Sequence, residues 1–151
     1  GDFLRQRGQS GDAESALRHY ERGLKLSEDL LAANPGSAQA LRDVSLSLER
    51  LGDFLRQRGQ SGDAESALRH YERGLKLRED LLAANPDSAQ ALRDVWISLW
   101  RLAQISEPAD PPKAKIFWTR ARDILDGMLS KGMFLAAGDL AFLDIIRTKT
   151  N

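Results

Sequence analysis

Apolar residues return at alternating spacings of three and four along Leu41, Val44, Leu48, Leu51 and Leu55, which is one face of a helix. Ser37, just after Pro35, is placed to cap its start. The stripe ends at Gly59-Gln60-Ser61-Gly62, a helix stop followed by a turn. Asp63 then serves as the next N-cap, with Glu65 in the first turn beside the positive helix end. Ala67, Leu68, Tyr71, Gly74, Leu75, Leu81 and Leu82 make a second apolar stripe. Asn85-Pro86 closes it, since Asn tolerates a left-handed conformation and Pro cannot continue a helix. The pattern is two antiparallel helices of about six turns each, joined by a short turn. Along the whole chain it predicts helices over 12–33, 37–58, 63–84, 88–105, 112–130 and 136–148, and no strand.

This hairpin is repeated. Residues 1–51 and 52–102 are 51 residues each and differ at five places: Ser27/Arg78, Gly36/Asp87, Ser45/Trp96, Leu46/Ile97 and Glu49/Trp100. Self-similarity at such a period marks a stacked repeat architecture. Residues 103–151 diverge. Ser106 to Pro112 reads as a loop whose Pro111-Pro112 can start a helix. Ala114, Trp118, Ala121, Ile124, Leu125 and Met128 follow on one stripe up to Gly132. A last helix carries Leu140, Leu143 and Ile146, with Arg147 and Lys149 near its end, and fits the atypical terminal element that covers the open face of a repeat array.

The unit resembles the tetratricopeptide repeat family, whose pattern is Trp-x2-Leu-Gly-x2-Tyr, then Ala-x3-Phe, then Pro. Leu48-x2-Leu51-Gly52-x2-Leu55 matches the first part with Leu for both aromatics, Ala67-x3-Tyr71 the second and Pro86 the third. The preceding copy supplies Gly1, Ala16-x3-Tyr20 and Pro35, and Ala114-x3-Trp118 keeps the spacing. The length departs from the family's period of about 34 residues, by three residues before Ala67 and seven on each side of Pro86. Seven residues is about two helical turns, so each long insertion returns the stripe to the same face. The resemblance covers roughly residues 1–130. It implies an all-α fold, a right-handed superhelical array of antiparallel hairpins with a C-terminal capping helix. As one domain it comprises 1–51, 52–102 and a divergent half-repeat with cap over 103–151. Gly52 and Gly74, inside helices, are read as close-packing positions, Ala103 replacing Gly52 small for small.

Composition removes several function classes. Lys plus Arg and Asp plus Glu number 22 each, divided as net −1, 0 and +1 over the three segments, so no region is basic enough to track a phosphate backbone. There is no cysteine, hence no thiolate nucleophile and no Cys-based zinc site. No apolar run approaches the roughly 20 residues of a membrane span. His19 and His70 are repeat equivalents with no ligand partner at a helical spacing, Gly59-x2-Gly62 is not followed by Gly-Lys-Ser/Thr, and no nucleophile–base–orienter set assembles. Glu21-Lys25 and Glu72-Lys76 read as helix-supporting pairs. The expectation is a non-enzymatic, cytoplasmic protein without cofactor or metal, in the manner of bacterial scaffold repeats.

Three of the five differences, at 45/96, 46/97 and 49/100, fall within five consecutive positions of the first helix. In the family, first helices line the concave face and bind peptides or partner helices. The resemblance therefore implies a partner-binding face of Arg42, Leu46, Glu49, Asp53 and Arg56 from one unit and Arg93, Ile97, Trp100 and Gln104 from the next. Glu49 and Asp53 stand where family members that hold chaperone carboxylates use Lys and Asn. Trp96 and Trp100 have a second reading, as core packed on the tail against Phe117, Trp118, Phe134 or Phe142. The partner is a protein or peptide, with no nucleic acid and no membrane. Two other classes stay open: a ligand-sensing array of a larger signalling protein, and a self-assembly element. Gly1 is not Met and aligns with Gly52 inside a helix, so the chain is read as a piece of a longer array. The face of Ala16, Leu17, Tyr20, Leu24 and Leu31 is then partly open, and self-association through that truncated N-terminal end is expected.

Overall fold

The computed structural model describes the backbone of residues 2–133 and 135–151, with side chains from Gly11 onward apart from Phe134. The described residues form six helices and no strand: α1 (Asp2–Ala33), α2 (Ala38–Arg58), α3 (Asp63–Ala84), α4 (Ala89–Ser106), α5 (Pro111–Ser130) and α6 (Ala137–Thr150). Five of the six agree with the sequence expectation to within two residues at each end. The chain divides into two compact units, residues 1–70 and 71–151. The division falls within α3.

Local chemistry explains most helix ends. Ser37 and Ser88 accept hydrogen bonds from the amides of Ala40 and Ala91, 3.1 Å each. Asp110 caps α5 through the Lys113 amide at 3.2 Å, with proline in the first turn. Gly132 ends α5 in the left-handed region at φ 72, where the Met133 amide reaches back to the Met128 carbonyl.

The α2–α3 turn rests on one ion pair. Gly59 takes φ 66, which its missing Cβ permits, and its amide bonds the Leu55 carbonyl. Arg58 then donates from both Nε and an Nη to the two carboxylate oxygens of Asp63, at 2.8 Å each. The Gln60 amide donates a third bond to Asp63 at 3.0 Å. Asp63 is therefore not the expected forward-facing N-cap. Its carboxylate is used backward, to clasp the turn, and the Gly62 carbonyl takes the first helical amide of α3 from Ser66. The Arg58 guanidinium holds the Asp63 carboxyl below the ordinary carboxylate range, against the opposing effect of desolvation.

Two further expectations change. Asn34 and Asn85 do not enter the left-handed region, since no described non-glycine residue has positive φ. Their amides still bond the last turn, and the following proline alone stops the helix. The second difference is the start of α1. Residues 1–26 and 52–77 have the same sequence, yet α1 is unbroken from Asp2 whereas the second copy turns at Gly59. Folding back is favoured where a long partner is available to bury, as with the 21 residues of α2. In α1 the same turn sequence is helical and keeps a backbone bond per residue.

In the first unit α1 and α2 are antiparallel neighbours: Tyr20 meets Phe54 at 5.4 Å between ring centroids, and Ser27 Oγ lies 3.1 Å from Ser47 Oγ. Each step forward on one helix is a step back on the other. The α2 core face is Val44, Leu48, Leu51 and Leu55, all buried. In the second unit α3 and α5 run parallel, with Lys113 on Glu72 at 3.2 Å and Arg120 on Glu79 at 2.6 Å. Buried Val95, Leu99, Leu102, Ala114, Ala121, Leu125, Leu143 and Ile146 fill that unit from α4, α5 and α6.

A group with a depressed folded pKa contributes stability above its unfolded value, and the contribution is lost as pH falls through the folded one. Asp63→Asn should therefore melt below the wild type at neutral pH, and the gap should close as pH drops below about 4. Thermal melts of both proteins across pH check this; a gap that is constant with pH would mean that the pair does not hold the turn.

Candidate functional site

The expected binding face has two halves with different fates. On α2, Leu46 and Arg56 are exposed, while Arg42, Glu49 and Asp53 are half-buried. At about 100° per residue these five share the side of α2 opposite the Leu51–Leu55 stripe. On α4 the equivalent side carries α6. Arg93 Nε lies 3.1 Å from an Asp139 carboxylate oxygen, and Asp139 is buried. That bond raises the Arg93 pKa and keeps the guanidinium charged. Phe142 stands 5.6 Å from the Trp96 ring and 4.5 Å from the Trp100 ring, and Trp118 of α5 meets Trp100 edge-on at 5.0 Å. Lys149, near the end of α6, reaches Glu107 at 3.0 Å. The paired residues advance together along both chains, so α6 runs parallel to α4 along the side that carries Arg93.

The differences between the copies follow from this. Trp96 is 1% exposed and is core; Trp100 is half-buried in the ring cluster. Among the tail aromatics named from sequence, Trp118 and Phe142 meet Trp100, and Phe134 lies outside the described residues. Ser45, in the place of Trp96, is buried and donates to the Arg42 carbonyl at 2.7 Å. Ser27 and Arg78 also hold equivalent contacts: Ser27 bonds Ser47, and buried Arg78 donates to Ser98 at 2.7 Å and to the Asp94 carbonyl at 3.2 Å. Gly36 is exposed in a turn, and its counterpart Asp87 lies 3.7 Å from Lys131. Ile97 and Gln104 are half-buried.

A second concave feature was not found from sequence. In the first unit α1, α2 and the start of α3 enclose a groove of about 530 Å³. Leu17, Leu24, Leu51 and Leu55 give it an apolar floor. Glu21, Lys25 and Glu28 of α1 stand along one margin, and Arg58, Asp63, Ser66 and His70 along the other. It opens on the side of α2 opposite Arg42 and Leu46. Lys25 and Lys76 pair forward with Asp29 and Asp80, at 3.5 and 2.6 Å, rather than back to Glu21 and Glu72 as expected. That leaves Glu72 to Lys113, and sets Glu21 close enough to support the Arg58 charge. The missed signal was the third second-helix, where Lys113 and Phe117 replace Ser66 and His70.

No protein-family model matches the chain. Over 95 residues, 63% of the chain, it is 28% identical to Protein NCA1 of Arabidopsis thaliana, and the match spans 22% of that protein's length. A crystal structure of a de novo designed helical repeat protein is 23% identical, with a TM-score of 0.40 over 97% of this chain and 73% of the other. Among the described residues no helix is long and apolar enough to cross a membrane. No group of three or more His, Asp or Glu side chains among them could hold a metal ion.

The ring cluster predicts a division between the two aromatics and their surroundings. Trp96→Ala should cost about 3–5 kcal/mol and Trp100→Ala about 2–3 kcal/mol, while Leu46→Ala should cost under about 1 kcal/mol. Denaturant unfolding of the three variants measures this, and a Trp100→Ala loss as small as that of Leu46→Ala would remove the packing assignment.

Proposed function

We propose that the chain is a non-enzymatic protein–protein interaction module built of lengthened tetratricopeptide repeats, and that the outward face of α2 binds a helix or peptide. The family positions support the repeat assignment, since Leu48, Leu51, Gly52, Leu55, Ala67, Tyr71, Ala114 and Trp118 are all buried. One observation carries the functional reading: α6, which packs on α5, also reaches the face of α4 that carries Arg93, through Arg93–Asp139 and through Phe142 beside Trp96 and Trp100. Arg42 repeats Arg93, and Leu46 offers an exposed apolar position beside it. The partner segment is an amphipathic helix or extended peptide that sets an apolar side chain on Leu46 and meets the mixed charges of Arg42, Glu49, Asp53 and Arg56. Charges of both signs on the margin select a partner's pattern more than they raise affinity.

The test uses a labelled peptide with the sequence of residues 136–151 titrated against the full chain. Leu46→Asp and Leu46→Lys should each weaken its binding by about 1–2 kcal/mol. Equal binding by wild type and both variants would remove α2 as the site.

Self-assembly has its own support. Leu26 and Leu30, one helical turn apart on α1, are 60% and 59% exposed. Their repeat equivalents Leu77 and Leu81 are half-buried. Leu26→Glu with Leu30→Glu should abolish concentration-dependent association in analytical ultracentrifugation. Association that persists in the double variant excludes α1 as its cause.

A further inference from the structure

The groove of the first unit is the open counterpart of an interface that is closed in the second. Aligning Ala114-x3-Trp118 of α5 with Ala67-x3-Tyr71 of α3 sets Lys113 against Ser66 and Phe117 against His70. In the second unit the Lys113 ammonium lies 3.2 Å from Glu72 and 5.9 Å over the Phe117 ring, and Phe117 is buried. A cation paired with Glu72 and a buried aromatic four residues on thus occupy this side of α5. Glu72 is the repeat equivalent of Glu21. In the first unit the acid and the apolar floor are kept, but a hydroxyl and an imidazole replace the ammonium and the phenyl ring, and about 530 Å³ stays open.

We propose that this groove binds a peptide segment of the form Lys/Arg-x3-Phe, its ring on Leu24 and Leu55 and its cation at Glu21. The volume fits a few side chains. The Glu21 carboxylate stands on the rim of an apolar floor that Lys25 and Arg58 also border, and a cation there is screened less than on an open surface while an adjacent ring adds cation–π attraction. The site is on the opposite side of α2 from the helix-binding face and stands independently of it.

The experiment uses the full chain and a fluorescein-labelled peptide with the sequence of residues 110–122, read by anisotropy. A control peptide carries Ser and His at the places of Lys113 and Phe117. The wild type should bind the first peptide saturably and the control at least about ten-fold more weakly. The protein variant Ser66→Lys with His70→Phe copies the second unit, fills the groove from within, and should lose the peptide by at least about ten-fold while melting no lower than the wild type. Glu21→Lys, on an exposed margin, should weaken the peptide without changing the melt. Absence of saturable binding, equal binding of the two peptides, or full binding by the filled variant each overturns the proposal. So does concentration-dependent self-association of the wild type that the filled variant lacks, which assigns the groove to a second copy of the chain.

Discussion

The seating of α6 on α4 decides how the second unit differs from the first. A repeat helix has an apolar stripe on one side and a second, amphipathic side that has to be solvated or covered. Where α6 covers it, the side carries Trp96 and Trp100, and the guanidinium of Arg93 is fixed on a buried carboxylate. On α2 the equivalent positions are Ser45, buried and bonded to its own backbone, an exposed Leu46 and a half-buried Glu49. Two of the three neighbouring differences, Trp96 and Trp100, meet Phe142 of α6, and the third, Ile97, is half-buried. α6 also packs on α5 and buries Leu143 and Ile146, whereas its ion pairs Arg147–Asp126 and Lys149–Glu107 are exposed and add orientation and little energy.

Much of this fold was legible because apolar spacing and capping chemistry are local. Ser37, Ser88, Asp110 and Gly59 act as their types and positions imply. The failures are places where a residue type has more than one use. Asp63 stands where an N-cap is expected, but a bidentate arginine is a stronger partner for a carboxylate than an amide of α3, and Arg58 is within reach. Lys76 had two carboxylates at four residues' distance and took the one ahead, as Lys25 does, and in the second unit Lys113 meets the other. The start of α1 could not be read locally at all, since the identical 26 residues turn in one copy and continue as a helix in the other.

The site was legible in part. Comparing the copies drew attention to positions 96–100, and the tail aromatics raised the packing alternative, but sequence could not say that Phe142 and Asp139 sit opposite Trp100 and Arg93. The groove was invisible for a different reason: it is defined by what Ser66 and His70 do not fill, and a void has no residue signature. Only alignment of α5 with α3, which the divergence of the tail obscures, brings Lys113 and Phe117 into register with them.

The most direct measurement of the central claim is a double-mutant cycle on Trp100 and Phe142, the two rings 4.5 Å apart between α4 and α6. Chemical denaturation of Trp100→Ala, Phe142→Ala and the pair gives the coupling free energy. Seating of α6 by these rings predicts a coupling of about 0.5–1.5 kcal/mol. Strict additivity of the two changes would contradict it, and would separate the divergence of α4 from the docking of α6.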